Sequence, residues 1–202
     1  AGYQTAFVGK WHMGHAHDEP RPGFDHWVSF KGQGTYTDPE LNINGKRRQF
    51  QGYNADVLTD VAIDWLKQGR DADKPFFFWA GIIEPHEPSG PTNYKLLEKE
   101  FGMTLDQVSL PPFMEDTEDN RRKRANFVYE ICRADTHLAR MLQSLEAAGK
   151  LDNTLVVVTS DNGTAIVRED RQRGKASPYD FGVHEPLAVM WPARIKPGRT
   201  VT

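Results

Sequence analysis

The sequence lacks the features that several classes of protein require. Its 202 residues contain one cysteine, Cys132, so no disulfide can form within the chain. No apolar run reaches the roughly 18 residues that a membrane-spanning helix needs. The net charge of −3 provides no general electrostatic basis for binding nucleic acid. We therefore expect neither a membrane nor a nucleic acid among its partners.

One basic run, Arg121 to Arg124, has two interpretations. Such a run can be a nucleic-acid patch or a localisation signal. It follows the acidic residues Glu115 to Asp119 and precedes a helical pattern. The solvated start of a helix is therefore the favoured interpretation, because most charge runs are solvated faces.

Helical patterns and continuous apolar runs alternate along the chain. A helical pattern over residues 54–69 precedes KPFFFWAGII, and a second, from Phe127 to Gly149, precedes TLVVVTS; a third apolar run, PLAVMW, follows near the end. Uninterrupted apolar runs are typical of strands covered on both faces. The pattern predicts an α/β fold, a mainly parallel sheet with helices on both faces. The Pro- and Gly-rich segments 14–54 and 84–117 are predicted to be irregular, and such segments are often functional.

Polar side chains follow two of these predicted strands. Asp161 and Asn162 follow LVVVTS, and their oxygens suit Ca²⁺ or Mg²⁺. The same Asp-Asn-Gly also suits an ordinary turn, and Asn162 begins a glycosylation sequon. His86 follows FFFWAGII between prolines that stiffen the backbone, and a histidine there suits a general acid or a solvated loop. Ligands of open α/β sheets gather at such strand ends, which makes all three residues candidates.

A lysine and a histidine lie close together near the start, in VGKWHMGH. If residues 5–12 form a strand, Lys10 and His12 share one face, because side chains alternate. The lysine can then hold an oxyanion while the histidine moves a proton. Lys175, in RGKASPYDFG, is a candidate second cation for the same anion, or an exposed loop lysine.

Several motifs together resemble the sulfatases of the alkaline-phosphatase superfamily. GYQTAFVGKWHMGH resembles the second sulfatase signature, and PFFFWAGIIEPHEP resembles the strand that carries the leaving-group histidine. The stretch ending in TLVVVTSDNG resembles the unit that carries two calcium ligands, and GKASPYDFGVHEP resembles the segment with a sulfate-contacting lysine. The segment RPGFDHWVSFKGQGTYTDPELNINGK resembles sulfatases that act on sulfated amino sugars. The motifs occur in the expected order over nearly the whole chain.

The resemblance implies a role for each candidate residue. Lys10 and Lys175 would bind sulfate oxygens, His86 would bind sulfate and help protonate the leaving alcohol, and His12 would deprotonate the nucleophile when sulfate is expelled. Asp161 and Asn162 would ligate Ca²⁺. The implied activity is hydrolysis of a sulfate ester on a carbohydrate, with 6-sulfated N-acetylglucosamine as the leading substrate. The family also implies a periplasmic, secreted or lysosomal location.

The chain also departs from the sulfatase pattern. Sulfatases use a formylglycine made within a Cys-x-Pro-Ser-Arg-type motif, whereas Cys132 is followed by Arg-Ala-Asp. The N-terminal pair of calcium-binding aspartates is also missing. We therefore expect residues 1–202 to be the central part of one sulfatase catalytic domain, inactive alone. A phosphomonoester or phosphonate hydrolase of the same superfamily, or a non-catalytic glycan-binding relative, are the alternatives.

Overall fold

The computed structural model describes residues 2–86, 93–164 and 174–200, which form seven strands and four α-helices. The strands are β1 (Gln4–Gly9), β2 (His26–Ser29), β3 (Glu40–Ile43), β4 (Lys46–Gln49), β5 (Phe76–Gly81), β6 (Val156–Thr159) and β7 (Leu187–Met190). The helices are α1 (Asn54–Asp64), α2 (Asn93–Phe101), α3 (Glu118–Ala147) and α4 (Asp180–Val183). A π-helical turn, Trp65–Gly69, extends α1.

Five strands form one sheet in the order β4-β3-β2-β1-β5, and β6 pairs with β7 in a second sheet. Strand β1 is parallel to β2 and to β5, while the β2–β3, β3–β4 and β6–β7 pairs are antiparallel. The α/β class is as predicted, but the sheet is mixed rather than mainly parallel. The segment 14–54, predicted to be irregular, contains β2 to β4. Asn44 and Gly45 both adopt positive φ (52° and 88°), so they form the kind of two-residue turn that joins an antiparallel hairpin.

The two predicted helical patterns form helices that cover one face of the larger sheet. Helix α1 and its π-helical extension end at Gly69, and Leu58 and Ala62 pack against Val8 and Val28 of the sheet. Helix α3 begins earlier than predicted, because the Thr117 side chain accepts a hydrogen bond from the Asn120 backbone N–H. Among the described residues, no helix is long and apolar enough to cross a membrane.

The basic run lies in the first turns of α3, as favoured from the sequence. Arg122 pairs with Glu118, and Lys123 pairs with Asp119 one turn earlier. These ion pairs are exposed, and acidic side chains at a helix start also complement the helix dipole. The run is thus accounted for by helix formation.

The opposite face of the sheet carries an aromatic row. In-register pairing places Phe7 beside Trp27 and Trp79, with ring centroids 4.7 and 5.6 Å away. Trp79 is nevertheless 50% exposed and Phe77 is 51% exposed. In the described part of the chain, the aromatic contacts on this face come only from strands and loops. Part of this face, at Phe77 and Trp79, is thus open among the described residues.

The faces of β6 and β7 are also more open than their apolar sequences predict. Val157 is 54% exposed, Leu187 is 70% exposed and Val189 is 46% exposed. The prediction that these strands are buried is wrong within residues 2–86, 93–164 and 174–200. An apolar run shows that a strand is suited to burial, but the burial itself needs a partner that packs on it.

An ion pair between the buried Asp18 and the partly exposed Arg47 ties the hairpin β3–β4 to the loop before β2. The Asp18 side chain is fully buried, and its Oδ1 lies 2.7 Å from Nη2 of Arg47. The Asp18 carbonyl accepts hydrogen bonds from Trp27 Nε1 and Asn42 Nδ2. Removing one partner of a buried ion pair leaves the other charge without compensation.

We predict that Arg47→Met lowers the free energy of unfolding by about 3 kcal/mol, because it leaves the Asp18 carboxylate buried and unpaired. Arg48→Met is the matched control, since the Arg48 guanidinium lies over the Phe50 ring at 4.9 Å rather than on a buried carboxylate. It should cost about 1 kcal/mol at most. Urea unfolding of both variants measures the difference, and equal losses would contradict the assignment.

Candidate functional site

Strands β1 and β5 end together at a pair of glycines. Gly9 is the register partner of Gly81, and the Lys10 N–H donates to the Gly81 carbonyl at 2.7 Å. Gly9 has φ +138°, and a Cβ built on it would lie 2.0 Å from the Gly81 oxygen. Only glycine fits there. Because the two strands are parallel, Lys10 and the segment leading to His86 leave the sheet at the same edge.

Lys10 and His12 are brought together by a turn rather than by a strand. Strand β1 ends at Gly9, and His12 adopts φ +48°. The expectation that residues 5–12 form one strand is therefore wrong, because the glycine and the positive φ end the alternation of side chains. His12 Nε2 lies 3.4 Å from Nδ1 of His15.

Basic side chains from three separate segments lie within electrostatic reach of one another. This cationic cluster consists of Lys10, His12, His15, His86 and Lys175. Burial lowers the pKa of Lys10, the charge of Lys175 lowers it further, and the charge of Asp161 opposes the shift. Burial also lowers the pKa of His12, with Lys10 as the next cause. The charges of Lys175 and Asp161 thus act on Lys10, and those of Lys10, Lys175 and His86 act on His12.

Asp161 and Asn162 follow β6 as predicted, beside a close backbone contact. Asn162 Nδ2 donates to the Gly163 carbonyl at 3.0 Å. A Cβ on Gly163 would lie 2.0 Å from the Phe181 carbonyl oxygen, so this glycine permits the close approach of two segments.

The donor atoms after β6 suit a hard cation but do not complete its coordination. One carboxylate and one amide oxygen are the ligand types that Ca²⁺ prefers, and Ca²⁺ takes six to eight ligands. Within the described ranges, no three His, Cys, Asp or Glu side chains gather in a way that could hold a metal ion. The pair fits part of a calcium site, and further ligands would have to come from elsewhere.

Two residues that the sequence analysis did not single out contact the cationic cluster. Lys10 Nζ donates to Gln33 Oε1 at 2.5 Å, and the Tyr36 hydroxyl lies 2.9 Å from His86 Nδ1. Both lie in the connection between β2 and β3. Their sequence signals were the glycine-rich context KGQGTY and the family resemblance of the segment around it, and neither indicates the side chains they meet.

A buried glutamate lies two residues before His86. Glu84 is 6% exposed. Its burial raises the pKa of the carboxyl group to about 7, against the effect of a backbone hydrogen bond, and the charge of Glu130 raises it further. Glu130 is itself fully buried and accepts hydrogen bonds from Tyr53 and Asn93. Two neighbouring buried carboxyl groups therefore lie close to the site.

We predict that Glu84→Gln changes the pH dependence of stability. Because the ordinary pKa is 4.5 and the folded value is about 7, the unfolded chain releases a proton that the native state keeps. Native stability therefore falls as the pH rises from about 4.5 to 7, by roughly 3 kcal/mol in all. Glutamine does not ionise, so the variant should lose this component.

Melting temperatures at pH 5 and pH 8 measure this effect. The difference between the two should shrink in Glu84→Gln and stay unchanged in Glu98→Gln, a control on an exposed glutamate of α2. Parallel pH profiles for Glu84→Gln and the wild-type protein would contradict the assignment.

The fold and the site define a class of protein: an α/β protein that gathers cations and one carboxylate at a sheet edge. Comparison with known proteins gives the family. The profile of the sulfatase family matches residues 1–202. The chain belongs to the sulfatase family.

Curated relatives match nearly the whole chain at modest identity. The chain is 28% identical to the uncharacterized sulfatase YdeN of Escherichia coli, covering 98% of this chain and 38% of that protein. It is 27% identical to the N-acetylglucosamine-6-O-sulfatase of Bacteroides thetaiotaomicron, over 99% of this chain and 49% of that protein. It is 28% identical to the human N-acetylglucosamine-6-sulfatase, over 98% of this chain and 41% of that protein. The chain thus spans less than half the length of these three relatives.

Solved structures support the fold. A protein from a glycosaminoglycan-metabolising locus of Bacteroides thetaiotaomicron aligns with a TM-score of 0.80 and 23% identity, over 98% of this chain and 47% of that one. Another solved structure, in complex with its substrate D-glucosamine-2-N,6-O-disulfate, aligns with a TM-score of 0.75 and 23% identity. The alignment covers 96% of this chain and 54% of that chain. The alkaline-phosphatase-like α/β fold implied by the resemblance is confirmed.

Proposed function

We propose that the protein containing this chain hydrolyses sulfate esters on a carbohydrate. The observation that carries the proposal is the cationic cluster, which collects basic side chains from three segments next to Asp161. Such an arrangement suits a sulfate group, whose negative charge grows on the leaving oxygen as the S–O bond breaks. Fixed charges that meet developing charge in a partly dry site are an effective source of transition-state stabilisation.

Each residue has a proposed role in that reaction. Lys10 and Lys175 bind sulfate oxygens, and His86 gives a proton to the leaving sugar oxygen. His12 accepts a proton from the nucleophile when sulfate is released. The lowered pKa of His12 supports this role, because a neutral imidazole is the form that accepts a proton.

We also propose that residues 1–202 are the central part of a single sulfatase catalytic domain. The nucleophile, a formylglycine in this family, would then lie on a segment outside them. The open apolar faces of β5, β6 and β7 support this, since a longer protein can cover Trp79, Val157 and Leu187. The length of the relatives supports it as well.

The proposed substrate is a 6-sulfated N-acetylglucosamine unit of a glycosaminoglycan or mucin. The support is the resemblance of the segment around residues 20–46 to sulfatases of amino sugars. Two relatives named as sulfatases of N-acetylglucosamine at position 6 add to it. A phosphate ester also suits a cationic cluster, so the assay must compare the two chemistries.

We predict that the full-length protein releases sulfate from 6-sulfated N-acetylglucosamine, while residues 1–202 alone do not, because they provide no nucleophile. In the full-length protein His86→Ala should lower kcat about 100-fold, the lower range for loss of a general acid. His17→Ala is the control, since His17 is exposed and its ring lies 3.4 Å from the exposed Glu19 carboxylate.

The outcomes of that assay separate the alternatives. Turnover of phosphomonoesters but not of sulfate esters would assign a phosphohydrolase. Sugar binding without any turnover would assign a non-catalytic glycan-binding protein. Turnover of an aryl sulfate by residues 1–202 alone would contradict the proposed site.

A calcium ion bound at Asp161 and Asn162 would supply positive charge beside the nucleophile. We predict that Asp161→Ala in the full-length protein abolishes tight calcium binding and activity, whereas Asp152→Ala, an exposed aspartate before β6, leaves both unchanged. Residues 1–202 should bind calcium weakly or not at all, because two ligands do not complete its coordination. Titration calorimetry on the two proteins measures this. Activity that survives both a chelator and Asp161→Ala would exclude the metal.

A further inference from the structure

One short loop contacts two members of the cationic cluster that arrive from different strands. Lys10 follows β1, and His86 comes five residues after the end of β5. Gln33 and Tyr36, three residues apart in the loop between β2 and β3, meet Lys10 Nζ at 2.5 Å and His86 Nδ1 at 2.9 Å. The loop therefore spans the gap between the two proposed sulfate-binding groups.

The loop is fixed to the body of the protein at both sides of Tyr36. The Asn54 side chain, 1% exposed at the start of α1, donates to the Thr35 carbonyl at 2.6 Å. The Asn54 backbone N–H donates to the Tyr36 carbonyl at 2.8 Å. Thr37 then forms a β-bridge with Tyr53. Because its backbone is bonded to the start of α1, Tyr36 has a fixed position relative to α1, and its side chain holds His86 in that position.

Glycine at position 34 is part of the same anchoring. Gly34 adopts φ +73°, and a Cβ there would lie 2.5 Å from the buried ring of Phe30. The loop thus lies directly on a core aromatic side chain, in a conformation that other residues rarely adopt. The glycine-rich sequence KGQGTY serves this close packing.

The contact with Tyr36 suits the proposed chemistry of His86. A phenol hydroxyl donates to Nδ1 of a neutral imidazole that carries its proton on Nε2, and it accepts from Nδ1–H of an imidazolium. The hydrogen bond is therefore compatible with both protonation states of the ring. It orients the ring with Nδ1 toward Tyr36 and Nε2 on the opposite side.

We propose that Tyr36 is a positioning residue that orients His86 for proton donation to the leaving sugar oxygen, a role that rests on the proposed sulfatase function. In that step the nucleophile oxygen bonds to sulfur and the bond between sulfur and the sugar oxygen breaks. The proton on His86 Nε2 passes to that oxygen and gives the free alcohol. Gln33, in the same loop, holds Lys10, which contacts the sulfate group and not the leaving oxygen.

The test uses the full-length protein and two sulfate esters that differ in their need for a proton. A sugar 6-sulfate has an alcohol leaving group that requires protonation, whereas 4-nitrophenyl sulfate releases a stabilised phenolate. Tyr36→Phe should lower kcat on the sugar sulfate at least 10-fold, leave its KM within about twofold, and change kcat on the aryl sulfate less than threefold, because general acid catalysis supplies factors of this size.

Two further variants make the comparison specific. Tyr129→Phe removes a hydroxyl that donates to Glu100 at 3.0 Å on the α2–α3 side, and it should behave as wild type with both substrates. Gln33→Met removes the side-chain oxygen that accepts the hydrogen bond from Lys10. It should weaken the binding of both substrates to the same extent, seen as a higher KM for each. If Tyr36→Phe does not fold, fluorotyrosines at position 36 retain the ring and hydroxyl, and kcat on the sugar sulfate should change steadily with the acidity of the phenol.

The outcomes distinguish this inference from the function on which it rests. Equal losses on both substrates for Tyr36→Phe, or kcat values that do not respond to fluorination, would overturn the role of Tyr36 while leaving the sulfatase function in place. A wild-type protein that turns over neither sulfate ester would remove the proposed function and this role together.

Discussion

The close pairing of Gly9 with Gly81 is the constraint on which the site depends. A side chain at position 9 would collide with the Gly81 carbonyl, and the Lys10 N–H is bonded to that same oxygen. The two parallel strands can therefore finish side by side, and their continuations emerge at one edge. Lys10 follows β1 and His86 follows β5 at that edge, although 76 positions separate them in the sequence.

Gathering positive charge at that edge is electrostatically costly unless an anion arrives. Burial and the charge of Lys175 both disfavour the protonated form of Lys10, and Asp161 offsets only part of this. A bound dianion would relieve the repulsion among these groups. A side chain with no titratable group contributes to the arrangement too, since the Gln33 amide oxygen accepts a hydrogen bond from the Lys10 ammonium group. The packing of a loop and two strand ends thus fixes the positions of these side chains.

The fold was predictable where a pattern depends on local sequence. The periodic apolar residues of α1 and α3 gave both helices, and glycines marked their ends at Gly69 and Gly149. The hairpin β3–β4 was missed, although its Asn44-Gly45 turn was a usable signal. The burial of β6 was predicted from its apolar residues, but three of its four residues are exposed. Exposure depends on what packs against a strand, and the sequence of the strand itself does not contain that information.

Sequence alone determined the candidate residues of the site, because Lys10, His12, His86, Asp161, Asn162 and Lys175 were all predicted from strand ends and from motifs that resemble one family. Only the tertiary structure decided how they meet: His12 reaches the cluster through a positive-φ turn, not by strand alternation. Only the structure linked Tyr36 to His86, fifty positions away. Local patterns specify which side chains stand at the end of a strand, whereas contacts across loops depend on packing that no single segment encodes.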